Sequence, residues 1–395
     1  MNYGSRAKFY TKGHIERKIH RLGCCVSVIM KKIIISGINL FEGGPLSVYK
    51  DCLDTIIEHE YDKEHKIIAF VHKKILFSEY PNTIQFIELP NSRKNYFWRL
   101  WYEYFYFKKF SKLERDIDIW ISLHDITPNV VANNQFTYCH NPSPFLKPEI
   151  ANFRYSPTNF LFSLFYKYLY KINIKKNKSI IVQQNWIREA FEKLYGVTNV
   201  IVARPNLVNV TIGPNINNNN DKFTFLFPAF PRFFKNFEVI CEACKILENR
   251  GIYNFEICLT LNGKENNYSK AIYNKYKDLK CITWIGLQSR ESVFSLYEKI
   301  DCMIFPSKLE TWGLPISEFK ETKKTIILSD LPYAHETIGN YDKLKFFDPS
   351  NFEELASYMI SAIEGSLDYD KSVYNSPKEP FSNNWHELLI EIGFE

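Results

Sequence analysis

Two glutamates, Glu310 and Glu318, stand eight positions apart on either side of Gly313-Leu314-Pro315. An apolar run over 302–305 ends just before the first. A helical pattern over 314–321 carries the second. Proline in a first helical turn is pre-organised and wastes no amide. The free amides of such a start, with the helix dipole, form an anion site suited to a pyrophosphate. A carboxylate accepts two hydroxyl hydrogen bonds at once, which suits a vicinal diol. Two carboxylates flanking a phosphate-binding helix start would hold a ribose on one side and a sugar on the other.

Other residues with chemical potential also follow apolar runs. His124-Asp125 closes the run 117–123, and His140 closes 136–139. His124 and Asp125 serve either an acceptor or the capping of a turn. Gly43-Gly44 lets backbone approach a ligand closely. Arg232 and Lys235 supply cations after the run 223–227. Asp301 reads as a turn residue. No Gly-x-Gly-x-x-Gly follows the first strand, which counts against a nicotinamide or flavin enzyme. No Asp-x-Asp stands in a setting that would suggest a catalytic metal. Cys241-Glu-Ala-Cys244 has half the spacing of a zinc site, but no second Cys/His pair follows.

The elements that must position these residues alternate in type. Strand patterns at 32–36, 66–71, 83–88, 117–123, 136–139 and 178–183 interleave with helical patterns at 46–59 and 185–194. After the polar run Asn217-Asn218-Asn219-Asn220-Asp221 the alternation restarts. Strands are expected at 223–227, 255–260, 281–285, 302–305 and 325–328, and helices at 236–249, 290–300 and 314–321. Such alternation predicts an α/β fold with mostly parallel sheets. The reading is two Rossmann-like domains, 30–205 and 222–375. A doubtful N-terminal arm (1–29) precedes them, and a tail (376–395) follows whose helix returns to the first domain. Either Met30 is the natural start or residues 1–29 form a loose basic arm. In open parallel sheets, ligands bind beyond the carboxyl ends of the strands, where the residues above lie.

Composition bounds the rest. The chain has 395 residues, 45% hydrophobic and 24% charged, which excludes a disordered chain, a collagen-like fibre and a disulfide-stapled scaffold. Nine cysteines, an odd number mostly in apolar runs, indicate a reduced, cytosolic protein. The net charge of +6 is too small for a dedicated nucleic-acid binder. No apolar run reaches the roughly 18 residues that span a bilayer. Aromatics reach 16%, concentrated in 95–110 and 160–171, with Lys108, Lys109, Lys175 and Lys176 at the edges. These segments are either core helices with snorkelling lysines or a peripheral contact with the inner face of the cell membrane.

The segment Glu310–Glu318 resembles the Glu-x7-Glu motif of retaining glycosyltransferases of the GT-B fold, in group 1 or family 4. Ser329-Asp330 with Glu336, and Phe347-Asp348-Pro349, are similar to that family's next segments. The match covers most of 222–360 and is looser in the first domain, through 39–45 and 138–142. The resemblance implies two Rossmann-like domains facing a central cleft. It implies that Glu318 holds the donor ribose and Glu310 the donor sugar. Gly313 and Leu314 would meet the sugar or pyrophosphate through their amides, Arg232 and Lys235 the phosphates, and Gly43-Gly44 the phosphates and acceptor. His140 would face the transferred sugar. Arg232 lies closer to Lys235 than the family's arginine does. The implied function is hexosyl transfer from a nucleotide diphosphate sugar to a glycan or lipid-linked acceptor, in bacterial surface polysaccharide (O-antigen or capsule) synthesis. No cofactor or metal is implied. A glycoside phosphorylase, a nucleotide-sugar epimerase and a non-catalytic membrane-associated scaffold are the alternatives.

Overall fold

Strands rich in isoleucine and phenylalanine, without polar alternation, must be covered on both faces. The first strand, β1 (Lys32–Gly37), shows why. Ile33 and Ile35 join one apolar layer and Ile34 the opposite one, and all three are fully buried. Each such side chain contributes about 1.5–3 kcal/mol on burial. The computed structural model describes residues 30–145, 165–206, 222–372, 374 and 376–395. The expected arm 1–29, the polar run at 217–221 and positions 160–164 of the second aromatic run lie outside the described residues.

Sheet one is formed by β1, β2 (Lys66–Val71), β3 (Ile84–Glu88), β4 (Ile119–Ser122), β5 (Asn134–Cys139), β6 (Ser179–Val182), β7 (Val200–Ala203) and the late β14 (Phe381–Ser382), in the order β14-β7-β6-β5-β4-β1-β2-β3. Sheet two holds β8 (Phe223–Phe227), β9 (Phe255–Leu259), β10 (Ile282–Trp284), β11 (Cys302–Phe305), β12 (Thr325–Ser329) and β13 (Leu344–Phe347), in the order β10-β9-β8-β11-β12-β13. Every pairing is parallel. Strand order reverses between β1 and β4 in the first sheet and between β8 and β11 in the second. Crevices open at such switch points. The chain is thus α/β, with two doubly wound parallel sheets.

The C-terminal helix Trp385–Glu391 returns to the first domain. Ahead of it, β14 adds to β7 at the edge of sheet one. Trp385 stacks on Tyr138 at 5.3 Å, and His386 stacks on His59 at 3.5 Å. Lys31 Nζ donates to the Gly393 carbonyl at 2.8 Å.

The aromatic segment after Asn95 is neither wholly core nor wholly surface. A helix over Tyr96–Trp101 passes through a π-helical turn, Tyr102–Tyr106, into a second helix, Phe107–Glu114. Tyr102 and Phe107 are buried, with Phe107 4.9 Å from Phe70 and 5.1 Å from Trp120. Phe97 and Phe105 are about two-thirds exposed, at 68% and 67%. Among the described residues no helix is long and apolar enough to cross a membrane.

Candidate functional site

The second domain gathers its share of the site at the carboxyl ends of β8 and β11. After β8 the chain makes a short turn, Phe233–Lys235, that brings Lys235 toward the turn following β11. Lys235 Nζ donates to Glu310 in a mostly buried ion pair. Arg232 is exposed, its guanidinium 5.7 Å from the Phe230 ring centre, and the Glu310 carboxylate acts on it electrostatically. Ser307 Oγ is buried beside this turn and has no hydrogen-bond partner among the described residues.

Gly313 has φ +85°, in the left-handed region that favours glycine. A Cβ there would also stand 3.1 Å from Ile316 Cδ1. The glycine turns the chain into the helix Leu314–Lys320, with Pro315 in its first turn. That helix has only seven residues, so few peptide units add to its macrodipole. Glu318, within it, accepts from Arg290 at 2.8 Å and from the Tyr297 hydroxyl at 3.3 Å. Arg290 also acts on Asp51 of the first-domain helix Gly43–Glu58. Burial first, then Asp54, pushes the Asp51 carboxyl up to about 6, against the pull of Arg290.

In the first domain, Asp125 and His140 come together. Asp125 Oδ1 accepts from the backbone amides of His140 (2.9 Å) and Asn141 (3.0 Å). Its Oδ2 lies 3.8 Å from His140 Nε2. The fold commits Asp125 to a turn, at φ +76°, and to the orientation of His140. Of its two expected roles, acceptor binding or turn capping, the geometry presents the second.

His124 has a setting that an acceptor-binding residue does not. It is 0% exposed, and its Nδ1 lies 3.1 Å from Glu103 Oε1. Burial is the first cause that drives the His124 pKa well down. Burial likewise raises the Glu103 carboxyl to about 8, opposed by Arg99. The contact is close enough for an ion pair, yet burial pushes both groups toward their uncharged forms. Arg99 braces the turn by donating to the His124 carbonyl at 2.9 Å.

Gly43 and Gly44 are the first residues of the helix Gly43–Glu58, which starts ahead of the expected 46 because Pro45 fits a first turn. Both glycines are exposed, and a Cβ on either would meet nothing within 4 Å. Asp301 is structural: its Oδ2 accepts from the amide and the hydroxyl of Thr224, each at 2.8 Å. Cys241 and Cys244 are buried free thiols in the second core. No group of three or more His, Cys, Asp or Glu among the described residues is placed to hold a metal.

Sequence reasoning missed Arg290, Tyr297, Asp51 and Glu103. Arg290 opens a helix capped by Ser289, and no local pattern says that it reaches Glu318. Glu103 is hidden in an aromatic run, where its charge reads as a solvated interruption.

Residues 211–379 match the family model "Glycosyl transferases group 1". Over that stretch, less than half of the chain, this protein is similar to that family. The O-antigen chain mannosyltransferase RfbU of Salmonella typhimurium is 22% identical over 214 residues, 53% of this chain. That match spans 56% of the relative's own length. The fold is GT-B. Sucrose-phosphate synthase from Thermosynechococcus elongatus superposes with a TM-score of 0.62 at 12% identity, covering 85% of this chain and 90% of that one. WaaG, a glycosyltransferase involved in lipopolysaccharide biosynthesis, gives 0.61 at 12% identity, covering 84% and 90%. Anabaena HepE, solved with UDP and glucose, gives 0.56 at 12% identity, covering 85% and 90%.

Proposed function

We propose that this chain is a retaining glycosyltransferase that moves a hexosyl group from a nucleotide diphosphate sugar to a hydroxyl of a glycan or lipid-linked glycan. The observation that carries the reading is the pair of cation-held carboxylates, Lys235–Glu310 and Arg290–Glu318, at the end of β11 in the stretch similar to group 1 glycosyltransferases. Glu318 takes the ribose hydroxyls and Glu310 those of the donor sugar. Arg232 and Lys235 neutralise the diphosphate, with the amides of Gly313 and Leu314 beside it. Preorganised charge of this kind stabilises a leaving diphosphate without reorganisation during the reaction. Among the described residues no side chain stands out as a nucleophile for a double displacement. The departing phosphate therefore takes the acceptor proton on the same face, with no metal or cofactor. His140, held by Asp125, faces the transferred sugar.

The RfbU match and the likeness to WaaG support O-antigen or related surface polysaccharide as the product class. The UDP complex of HepE supports a nucleotide-sugar donor. The exposed rings of Phe97, Trp101 and Phe105, with Lys108 and Lys109 beyond them, support peripheral contact with an anionic membrane where such acceptors lie.

A thermal-shift screen against UDP-, GDP- and dTDP-sugars tests donor binding, because a ligand of the folded state raises apparent stability. Release of nucleotide that depends on added acceptor then establishes transfer. Release without acceptor, or none in its presence, contradicts it.

A further inference from the structure

We propose that Gln184, Glu336 and Thr337 are positioning residues: a buried brace through which the first domain sets the donor-binding turn at 310–314. The inference rests on the donor reading of that turn and goes beyond it.

The helix Pro332–Ile338 of the second domain lies between that turn and the start of the first-domain helix Asn185–Tyr195. On the first-domain side, Gln184 is 0% exposed. Its Nε2 donates to the Tyr333 carbonyl at 3.1 Å and to Thr337 Oγ1 at 2.7 Å. Its Oε1 accepts from Trp186 Nε1 at 2.7 Å, so both ends of the amide are engaged. Glu336 accepts from the amides of Asn185 at 2.7 Å and Trp186 at 2.9 Å. Opening amides of a helix have no partner within it. Here the preceding residue, Gln184, makes no side-chain cap, and a carboxylate from the other domain takes that place.

On the other side the same short helix grips both ends of the segment 307–312. The Tyr333 hydroxyl donates to the Ser307 carbonyl at 2.6 Å. The Thr337 hydroxyl shares its proton between the Trp312 carbonyl and the Tyr333 carbonyl, the latter at 2.9 Å. Trp312 precedes Gly313 and follows Glu310 by two residues. A tilt of the first domain therefore reaches the donor turn through four buried groups: Gln184, Thr337, Trp312 and Tyr333. Buried polar contacts add little net stability, but they are costly to leave half-made. An apolar contact would join two domains as well; directed hydrogen bonds fix one orientation.

The test measures affinity for whichever nucleotide sugar gives the largest thermal shift in the screen, well below the melting temperature. Thr337→Val keeps the shape and removes the hydroxyl; Thr337→Ser restores it. Losing these bonds is expected to weaken donor binding about fivefold to thirtyfold in Thr337→Val, with recovery to within about twofold in Thr337→Ser. Glu336→Gln, which keeps one acceptor oxygen, should fold and show a smaller loss in the same direction. A merely structural role would lower stability in Thr337→Val without this rescue in affinity. Glu318→Ala is the control. If it weakens binding while Thr337→Val and Glu336→Gln leave it unchanged, the brace is overturned and the donor reading stands. If no nucleotide sugar binds wild type, or Glu318→Ala is silent, the donor reading fails and the brace falls with it.

Discussion

Lys235 and Glu310 are joined in an ion pair beside the end of β11, with side-chain exposures of 16% and 12%. The proposed function assigns them to two parts of one ligand, phosphate and sugar. Before the donor arrives, each neutralises the other. The pair therefore keeps a desolvated carboxylate and ammonium ready at little cost, since a buried charge without a partner is expensive. Donor phosphates would draw Lys235 away and leave Glu310 free for hydroxyls.

Such sharing makes the two residues interdependent. Glu310→Gln and Lys235→Ala should each lower kcat/KM, and the double variant should lose less than the sum. The expected coupling is about 0.5–3 kcal/mol. Strict additivity in a double-mutant cycle would show that they act on separate ligand groups throughout.

Glu318 is held by Arg290 and the Tyr297 hydroxyl and meets the ribose in the proposed reading. Glu318→Ala should weaken nucleotide-sugar binding about tenfold to a hundredfold, the size of a charged hydrogen bond of about 1.5–3 kcal/mol. Isothermal titration calorimetry reads this directly; an unchanged Kd would remove Glu318 from the site.

His140 and Asp125 should separate under mutation. His140→Ala removes a side chain without disturbing the turn. Turnover should fall about a hundredfold to a thousandfold, as on losing one preorganised donor, with the melting temperature held. Asp125→Ala strips two half-buried amides of their acceptor. It should cost about 1–3 kcal/mol of stability as well as activity. Wild-type turnover in His140→Ala would place the sugar elsewhere.

Glu103 gives the protein a pH signature. Its carboxyl rises to about 8 in the folded chain from an unperturbed 4.5, mainly through burial. Across that window the folded state binds more protons than the unfolded one, so stability falls as pH rises. The contribution is complete below pH 4.5 and is lost as pH climbs through 8. Glu103→Gln removes the titration. Its melting temperature relative to wild type should therefore improve from pH 5 to pH 8.5. A difference independent of pH would mean that Glu103 does not titrate there.

The peripheral-membrane reading predicts that Lys108, Lys109, Lys175 and Lys176 help hold the first domain on anionic lipid. Each near-surface lysine contributes about 1 kcal/mol. Changing all four to Glu should move the protein off phosphatidylserine vesicles in a flotation assay, and high salt should do the same. Flotation unchanged by the substitutions would assign the exposed rings to another partner.

Local order carried much of this reading. Apolar runs closed by polar residues or proline placed the strands β2, β8 and β11 at their observed bounds, because strands covered on both faces need little beyond their own side chains. Shorter strands were harder to see. β14 has two residues and exists only because β7 offers it an edge. The aromatic run at 95–110 read ambiguously because a π-helical turn shifts its register, and no periodicity rule anticipates that inserted turn.

The sequence by itself determined the α/β alternation, the strand ends where ligand chemistry gathers, and the spacing of Glu310 and Glu318 around a turn that needs Gly313. Those features depend on neighbours along the chain. Only the tertiary structure decided that Lys235 pairs with Glu310, that Arg290 reaches Glu318, that Asp125 orients His140, and that His124 is sealed against Glu103. These partners stand far apart in the chain, or, as with Asp125 and His140, beyond the ends of successive strands. Side-chain charges are paired by burial and distance, which a linear pattern does not encode.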